Sequence, residues 1–426
     1  MSQSARSLLA GLFRRIRRNG VADLNQRVVR RLYKRLDAGA LDFPLLPEDV
    51  SDSTRLRDFS ALPATESPDR GPRDQPAQLS RDKPLTIGWV CTPPGRGSGG
   101  HTTLFRMVEE MSRRGHRSVL FLYDRHGGDL DRHARVLREG WPHLRVDIRD
   151  AQDGIFGVDA AVASSWDTAH VLAARLRTRA ALLYFIQDFE PYFYPRGSLQ
   201  AFAEDSYRFG FRNIALGSMV AGELSARGIP QTTVPFGCDT DVYGLTNRGE
   251  RSGIVFYTKP GVDRRGFLIA QRGVEEFHRR HPEQQIHVYG EAVDDWSLPI
   301  IRHERLDPSA LNTLYNASLA GIAMSFTNVS LVAEELLAAG AIPIVNDSAD
   351  ARADLTNAEV EWATPTPGGI ADALCRVVER ADYALRSVAA SDAVRHGWGP
   401  AQGLVADTIT DAVRAESGLA VGPAGG

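Results

Sequence analysis

Two acidic residues, Asp188 and Glu190, follow directly after an apolar run at 181–186 that predicts a buried strand. Aromatic side chains surround them in the sequence, and Gln187 and Tyr192 lie in the same segment. A carboxylate can act as a general base or orient a hydroxyl group. The segment therefore predicts a site for a hydroxyl-rich ligand, and the alternative is a loop whose aromatic residues pack and whose acids are solvated.

A group of cations, Lys259, Arg264 and Arg265, follows a second apolar run at 253–257. Guanidinium and ammonium groups bind phosphate oxygens through charge-assisted hydrogen bonds. These three residues therefore predict a clamp for a diphosphate. The alternative interpretation is an exposed basic turn.

The segment 325–345 predicts a polar loop, a helix and a buried strand in succession. The start of a helix favours an anion, because free N–H groups and the helix dipole point towards it. Glu335 lies one turn into this helix and could hold hydroxyl groups. The alternative is a core helix of any α/β protein. The candidate ligand-binding residues of the loop and helix start are Thr327, Asn328, Val329, Ser330 and Leu331.

A glycine-rich loop at 95–100 fits the pattern G-x-G-x-x-G, and Asp124 ends the next predicted strand. This arrangement favours an NAD(P)-dependent oxidoreductase as one alternative. Two prolines lengthen the turn, and His101 crowds the helix start. A loop that lets another ligand approach the backbone explains the glycines equally well, which makes Gly99, Gly100 and His101 candidate binding residues.

Metal and nucleic-acid ligands are not expected. Asp239 and Asp241 form a D-x-D pattern without a third acidic ligand, and three widely spaced cysteines form no ligand pattern. The net charge of −3 does not point to nucleic acid. Few cysteines favour a reducing cytoplasm, and no cofactor is expected.

The N-terminal segment 1–43 is basic and amphipathic, which suits an anionic membrane surface. A solvated helix packed on the rest of the protein is the alternative. No apolar run is long enough for a transmembrane helix, and no signal peptide is predicted. We therefore expect a cytoplasmic protein, with peripheral contact at the inner face of the membrane as the further hypothesis.

Strands alternate with helices from residue 85 onwards, which predicts two α/β domains with parallel sheets. An irregular linker is predicted at 44–84. The predicted domains span 85–244 and 245–398, and 399–426 is a final helix with a flexible tail. Cleft binding between such domains is common.

Several motifs together resemble the family-4 retaining glycosyltransferases of the GT-B fold, and most resemble the bacterial WsaF-like rhamnosyltransferase group. They are the 184–195 aromatic segment, the 237–243 element, Lys259 with Arg265, and Glu335 followed by 336–340. The resemblance implies two Rossmann-like domains facing across a cleft, with the last helix returning to the first domain. It also implies that the D-x-D pattern is incidental.

The resemblance further implies a nucleotide-diphosphate sugar donor bound by the second domain and a glycan or lipid-linked acceptor bound by the first. Arg265 would act in catalysis, Glu335 would bind ribose, and Tyr289, Gly290 and Glu291 would flank the base. Retention of configuration without a metal is implied. Rhamnose from a dTDP-linked donor fits best, and a non-catalytic glycan-binding module remains an alternative besides the oxidoreductase.

Two residues depart from the family pattern. Thr327 stands where the first Glu of the E-x7-E signature would fall, and Gln187 stands where many members have His before Asp. A deoxy sugar needs fewer hydroxyl partners, so Thr327 is compatible with rhamnose.

Overall fold

The computed structural model of the chain describes residues 43–64, 83–95, 97–293, 296–303, 306–394 and 396–416. The chain divides into the units Met1–Leu46 and Pro47–Gly426. Of the first unit only residues 43–46 are described. The predicted basic segment at 1–43 therefore lies almost wholly outside the described residues. The second unit contains two α/β domains, each built on one sheet.

The N-terminal sheet has seven parallel strands in the order β3-β2-β1-β4-β5-β6-β7. Because β4 returns to the free side of β1, the loops after these two strands flank a crevice at the carboxyl edge. The strands are β1 Thr86–Cys91, β2 Arg117–Leu122, β3 Asp147–Asp150, β4 Ala160–Ala163, β5 Ala181–Ile186, β6 Arg212–Leu216 and β7 Gln231–Val234. The helices are α1 Gly99–Arg113, α2 Leu130–Gly140, α3 Trp166–Arg175, α4 Ser198–Ser206 and α5 Ser218–Ala226.

The C-terminal sheet has six parallel strands in the order β10-β9-β8-β11-β12-β13. Its corresponding crevice lies between the loops after β8 and β11. The strands are β8 Ile254–Thr258, β9 Ile286–Gly290, β10 Ile300–Arg302, β11 Ala320–Ile322, β12 Ile342–Asn346 and β13 Glu361–Ala363. The helices are α6 Phe267–Arg280, α7 Pro308–Ala317, α8 Leu331–Ala338, α9 Ala349–Asp354, α10 Pro367–Val378, α11 Tyr383–Ala393 and α12 Gly399–Glu416.

Apolar runs mark the central strands, because helices cover both faces of a parallel sheet. Every residue of β4, β11 and β12 is buried. The edge strand β3 has no buried residue, and two of the three residues of β10 are exposed. Neither was predicted, since β3 has a single apolar residue and β10 is only three residues long.

Of the segment predicted as an irregular linker, residues 44–64 and 83–84 are described; residues 44–64 contain two short 3-10 turns, and their first part is held against the N-terminal domain. Asp49 accepts a hydrogen bond of 2.8 Å from the Tyr123 hydroxyl and pairs with Arg175. Ser51 N–H donates to His170 Nδ1 at 3.0 Å. Hydrogen bonds rather than apolar periodicity fix this segment, which explains why its sequence shows no regular pattern.

The chain passes between the domains twice, near Gly237 and near Trp398. Cys238 N–H donates to the His396 carbonyl at 3.1 Å, and Cys238 already belongs to the C-terminal core. The change of domain therefore falls earlier than the predicted boundary at 244. Helix α12 packs into the N-terminal core through a row of apolar residues that includes Ala401, Val405, Ala406, Ile409, Ala412 and Val413.

Gly237 is the point where the two passages touch. A Cβ atom there would lie 2.7 Å from the Gly397 carbonyl oxygen and 2.8 Å from Trp398 Cα. We expect Gly237→Ala to lower the free energy of unfolding by about 1–3 kcal/mol, because backbone cannot yield as a side chain can. Gly244→Ala is the control, since its Cβ would meet no atom within 4 Å. Equal urea-unfolding midpoints for the two variants would contradict the close approach.

Candidate functional site

The cations predicted to bind a diphosphate lie at the β8–β11 crevice. Lys259 follows β8, and a short 3-10 turn at Asp263–Arg265 carries the two arginines to the start of α6. Gly266 ends this turn with φ of 63°, a conformation that favours glycine. Phe326 N–H donates to the Arg264 carbonyl at 2.8 Å, which joins this turn to the loop after β11.

The cation cluster carries more positive charge than its surroundings compensate. Burial, and then the neighbouring Arg264, lower the pKa of Arg265 to about 10. Burial and the charge of Arg265 also lower the pKa of Lys259. Among the described residues, no carboxylate lies within 4 Å of the charged groups of Lys259 or Arg265. Arg265 Nη1 donates to Ser325 Oγ at 3.0 Å. Such a cluster favours a multiply charged anion.

Helix α8 begins beside this cluster. Ser330 is its N-cap, but the Ser330 side chain makes no capping hydrogen bond. The first N–H groups of a helix have no partner within it, so the turn at Val329–Leu331 can donate to an anion. Val329 is buried, whereas Leu331 is half-buried and packs against the N-terminal core.

Glu335 lies in the second turn of α8, above a group of tyrosine side chains. The Tyr315 hydroxyl lies 3.5 Å from Glu335 Oε2 and 2.5 Å from the Tyr289 hydroxyl. Burial, and then Asp239, raise the pKa of Glu335 to about 7, while Arg106 and Tyr315 oppose the rise. A carboxyl group held in this way can accept or donate a hydrogen bond to a hydroxyl near neutral pH.

The structure gives the predicted base-flanking residues different positions. Tyr289 is buried, and its ring stacks on Tyr257 with centroids 5.1 Å apart. Its hydroxyl bonds to Tyr315, so the Tyr289 side chain packs within the tyrosine group rather than at an open surface. Gly290 has φ of 110°, and the exposed Glu291 donates its N–H to the Thr258 carbonyl at 2.8 Å. Gly290 and Glu291 remain at the open edge of β9.

Asp188 reaches from the N-terminal domain to the C-terminal domain. Its Oδ2 accepts a 2.8 Å hydrogen bond from the Thr327 hydroxyl and lies 3.4 Å from Arg264 Nη1. Asn328 Nδ2 donates to the Gln187 carbonyl at 2.8 Å. Burial raises the pKa of Asp188, although Arg264 and Thr327 oppose the rise. The structure thus brings Thr327 and Asp188, which are far apart in the sequence, into direct contact.

Glu190, unlike Asp188, has its hydrogen-bond partners within the N-terminal domain. Its Oε2 accepts hydrogen bonds from Trp166 N–H at 2.5 Å and from the Tyr184 hydroxyl at 3.2 Å. Burial and the nearby Asp167 raise the pKa of Glu190 well above its usual range. A buried carboxyl group with both hydrogen-bond partners in its own domain has a structural role, so the prediction of catalysis by Glu190 does not fit this geometry.

Asp167 is a further candidate site residue, which the sequence predictions did not include. It follows β4 at the start of α3 and accepts a 2.8 Å hydrogen bond from Thr168 N–H. Burial raises its pKa. The signal was present, because a strand followed by Ser165 and an acid marks a helix start. Its position at the β1–β4 crevice makes it a candidate to bind hydroxyl groups.

The glycines of the loop at 95–100 are exposed, whereas both ring nitrogens of His101 are hydrogen-bonded. His101 Nε2 lies 2.9 Å from the Thr92 carbonyl oxygen and must donate to it, so Nδ1 accepts from the Ser98 hydroxyl at 2.8 Å. Burial lowers the pKa of His101. Gly99 is exposed, and a Cβ on Gly100 would lie 3.8 Å from Gln187 Oε1. Tyr192 is 39% exposed, and its ring packs on Phe189 with centroids 4.9 Å apart.

Two further motifs have local partners. Asp239 pairs with Arg106, whose guanidinium lies 4.7 Å from the Trp398 ring centroid. Asp124 lies 3.0 Å from His133 Nε2 and accepts a hydrogen bond from His126 N–H at 2.9 Å. Thus Asp239 is bonded at the passage between the two domains. Asp124, the acid that would bind ribose in a dinucleotide fold, is instead bonded to His126 and His133.

Two parallel-sheet α/β domains with a ligand crevice at each facing edge define the GT-B fold, and solved structures confirm it. HepE from Anabaena, in complex with UDP and glucose, superimposes with a TM-score of 0.59 at 14% identity, covering 78% of this chain and 100% of that chain. WaaG, a glycosyltransferase involved in lipopolysaccharide biosynthesis, gives a TM-score of 0.54 at 10% identity, covering 76% and 99%.

The C-terminal sheet domain points to a particular family. Residues 252–375 match the family model of the WsaF C-terminal domain, a range that contains the cation cluster and α8. The O-antigen biosynthesis protein RfbC of Myxococcus xanthus is 27% identical over 331 residues, or 74% of this chain. The chain spans 26% of the length of that relative. The predicted resemblance to WsaF-like proteins of the GT-B fold is therefore confirmed.

The described residues contain no helix that is both long enough and apolar enough to cross a lipid bilayer.

Glu335 gives the site a measurable pH signature. Its carboxyl pKa is raised from 4.5 to about 7, so ionisation costs folding free energy as pH rises through this window. Glu335→Gln removes that cost. We expect the variant to gain on the order of 1–3 kcal/mol relative to wild type between about pH 5 and about pH 8, measured by urea unfolding. The exposed Glu250→Gln is the control, and a flat difference for Glu335→Gln would refute the assignment.

Proposed function

We propose that the chain is a glycosyltransferase of polysaccharide biosynthesis that uses a nucleotide-diphosphate sugar as donor. The observation that carries this proposal is the cluster of Lys259, Arg264 and Arg265 beside the start of α8, of which only Arg264 has a carboxylate within 4 Å among the described residues. The likeness to WsaF and RfbC supports it, as does the GT-B fold. No specific observation favours the oxidoreductase or the non-catalytic module.

In this proposal the donor lies along the β8–β11 crevice. Lys259 and Arg265 neutralise the diphosphate, and the first N–H groups of α8 donate to its oxygens. Glu335 binds the ribose hydroxyl groups from the second turn of the same helix. Gly290 and Glu291, at the open end of β9, flank the base.

The reaction joins an acceptor hydroxyl oxygen to the anomeric carbon while the bond from that carbon to the diphosphate breaks. Negative charge then grows on the departing diphosphate, where Arg265 and the α8 start stabilise it. We propose retention of configuration without a metal, with a phosphate oxygen taking the acceptor proton. Asp188 orients the acceptor hydroxyl, and Asp167, after β4 of the same domain, binds further hydroxyl groups.

The proposed sugar is rhamnose, supplied from a dTDP-linked donor. Thr327 offers the cleft a single hydroxyl group, which is already bonded to Asp188 at 2.8 Å. A deoxy sugar presents one hydroxyl fewer than glucose and needs fewer polar partners at this point. The acceptor class that fits the cleft is a glycan or a lipid-linked glycan.

A panel of nucleotides and nucleotide sugars tests the donor proposal. We expect UDP or dTDP to raise the melting temperature, whereas NAD+ and NADP+ leave it unchanged. Arg265→Ala should abolish most of that shift and lower kcat/KM for sugar transfer by about 10²-fold, because one charge-stabilising donor contributes that much. Arg272→Ala removes an exposed arginine of α6 that pairs with Glu275 and serves as the control. Stabilisation by NAD(P) alone, or full activity in Arg265→Ala, would overturn the proposal.

We also propose that segment 1–43 binds an anionic membrane surface, because ten basic residues interleave with apolar ones between Arg6 and Arg35. Deleting residues 1–40 should release the protein from vesicles that contain anionic lipid at low salt. Binding to neutral vesicles is the control measurement. Equal partitioning of the full chain and the truncated chain would contradict this role.

A further inference from the structure

Among the described residues, only Asp188 has a carboxylate within ion-pair distance of the cation cluster. It comes from the other domain, and its Oδ2 lies 3.4 Å from Arg264 Nη1. Arg264 is held in place from the same side, since its guanidinium carbon lies 4.4 Å from the Phe193 ring centroid. The N-terminal domain thus places an anion and an aromatic ring on a cation that a donor phosphate would also attract.

The contact between Asp188 and the cluster is incomplete. Asp188 Oδ1 is buried, and no donor among the described residues meets hydrogen-bond geometry with it. Asn328 Oδ1, in the neighbouring interdomain hydrogen bond, is likewise buried without a donor. Buried acceptors without donors are costly. Two such atoms in one interdomain contact indicate an arrangement that a better ligand can displace.

A diphosphate is that better ligand. It brings more than one negative charge and several acceptor oxygens, so it can engage Arg264 and Arg265 together. Asp188 brings a single charge and engages Arg264 and Thr327. The carboxylate and a donor phosphate therefore compete for the same guanidinium group.

We propose that Asp188 is an internal competitor of the donor diphosphate, which occupies Arg264 until the donor arrives and is then released to the acceptor hydroxyl. This inference rests on the proposed function and adds a coupling between its two substrates. A carboxylate paired with a guanidinium is a weaker hydrogen-bond acceptor towards other groups than the same carboxylate after the pair is broken. Donor binding would thereby prepare Asp188 as a positioning residue, and the acceptor would bind better after the donor.

Isothermal titration calorimetry of the full chain tests this competition, with UDP, dTDP and inorganic pyrophosphate as probes. Asp188→Asn removes the competing charge with little change of shape. We expect it to bind the diphosphate probes about tenfold more tightly than wild type, a change of about 1.4 kcal/mol. Uridine and thymidine carry no phosphate, so their affinity should not change. A side chain with a merely structural role would not raise the affinity for diphosphates.

Asp382→Asn is the matched control, because it removes one negative charge from an exposed pair with Arg380 on the C-terminal domain. It should leave all affinities unchanged. Thr327→Val keeps the Asp188 charge but removes its 2.8 Å hydrogen bond, and it should raise diphosphate affinity by a smaller factor. This variant carries the test if Asp188→Asn does not fold.

The possible outcomes separate the two proposals. Diphosphate affinity that stays equal or falls in Asp188→Asn and in Thr327→Val, while wild type binds the probes, overturns the competition and leaves the donor site intact. If wild type and both variants bind no probe, the proposed donor site itself is wrong, and this inference is wrong with it.

Discussion

Opposite charges meet at one contact across the cleft, between Asp188 and Arg264. On one side Lys259, Arg264 and Arg265 crowd together, and on the other Asp167, Asp188 and Glu190 do the same. Like charges in a partly buried space raise the free energy of the ionised state. The pair between Asp188 and Arg264 across the cleft relieves part of this cost. The arrangement of the cleft therefore depends on electrostatics as well as on packing.

The two acidic residues of the aromatic segment illustrate how neighbouring positions acquire different roles. Asp188 points to the other domain, where it bonds to Thr327. Glu190 points into its own domain, where it bonds to Trp166 N–H at the start of α3. Both acids are buried, but only the first meets a cation. Their sequence spacing alone could not separate a cleft residue from a structural one, because Asp188 lies in the loop after β5, whereas Glu190 begins a short 3-10 turn at Glu190–Phe193.

Parallel strands explain why many residues of the candidate site could be proposed from the sequence. The central strands are buried on both faces and therefore appear as apolar runs, and ligand-binding residues follow their carboxyl ends. Lys259 after β8, Ser330 before α8 and Asp188 after β5 were found by this logic. This rule did not predict edge strands such as β3, since their residues are partly exposed to solvent. Asp167 was also missed, although it obeys the same rule after β4.

The sequence by itself determined the fold class, the two parallel-sheet domains and the loops that carry polar residues, because burial periodicity and helix-start signals are local. Tertiary structure alone decided which of those residues meet. Thr327 and Asp188 share a hydrogen bond, Tyr289 bonds to Tyr315, and both ring nitrogens of His101 are bonded, to Ser98 and Thr92. Such pairings depend on how the two sheets face each other and on side-chain directions, and no local pattern encodes a distance between residues that are far apart in the chain.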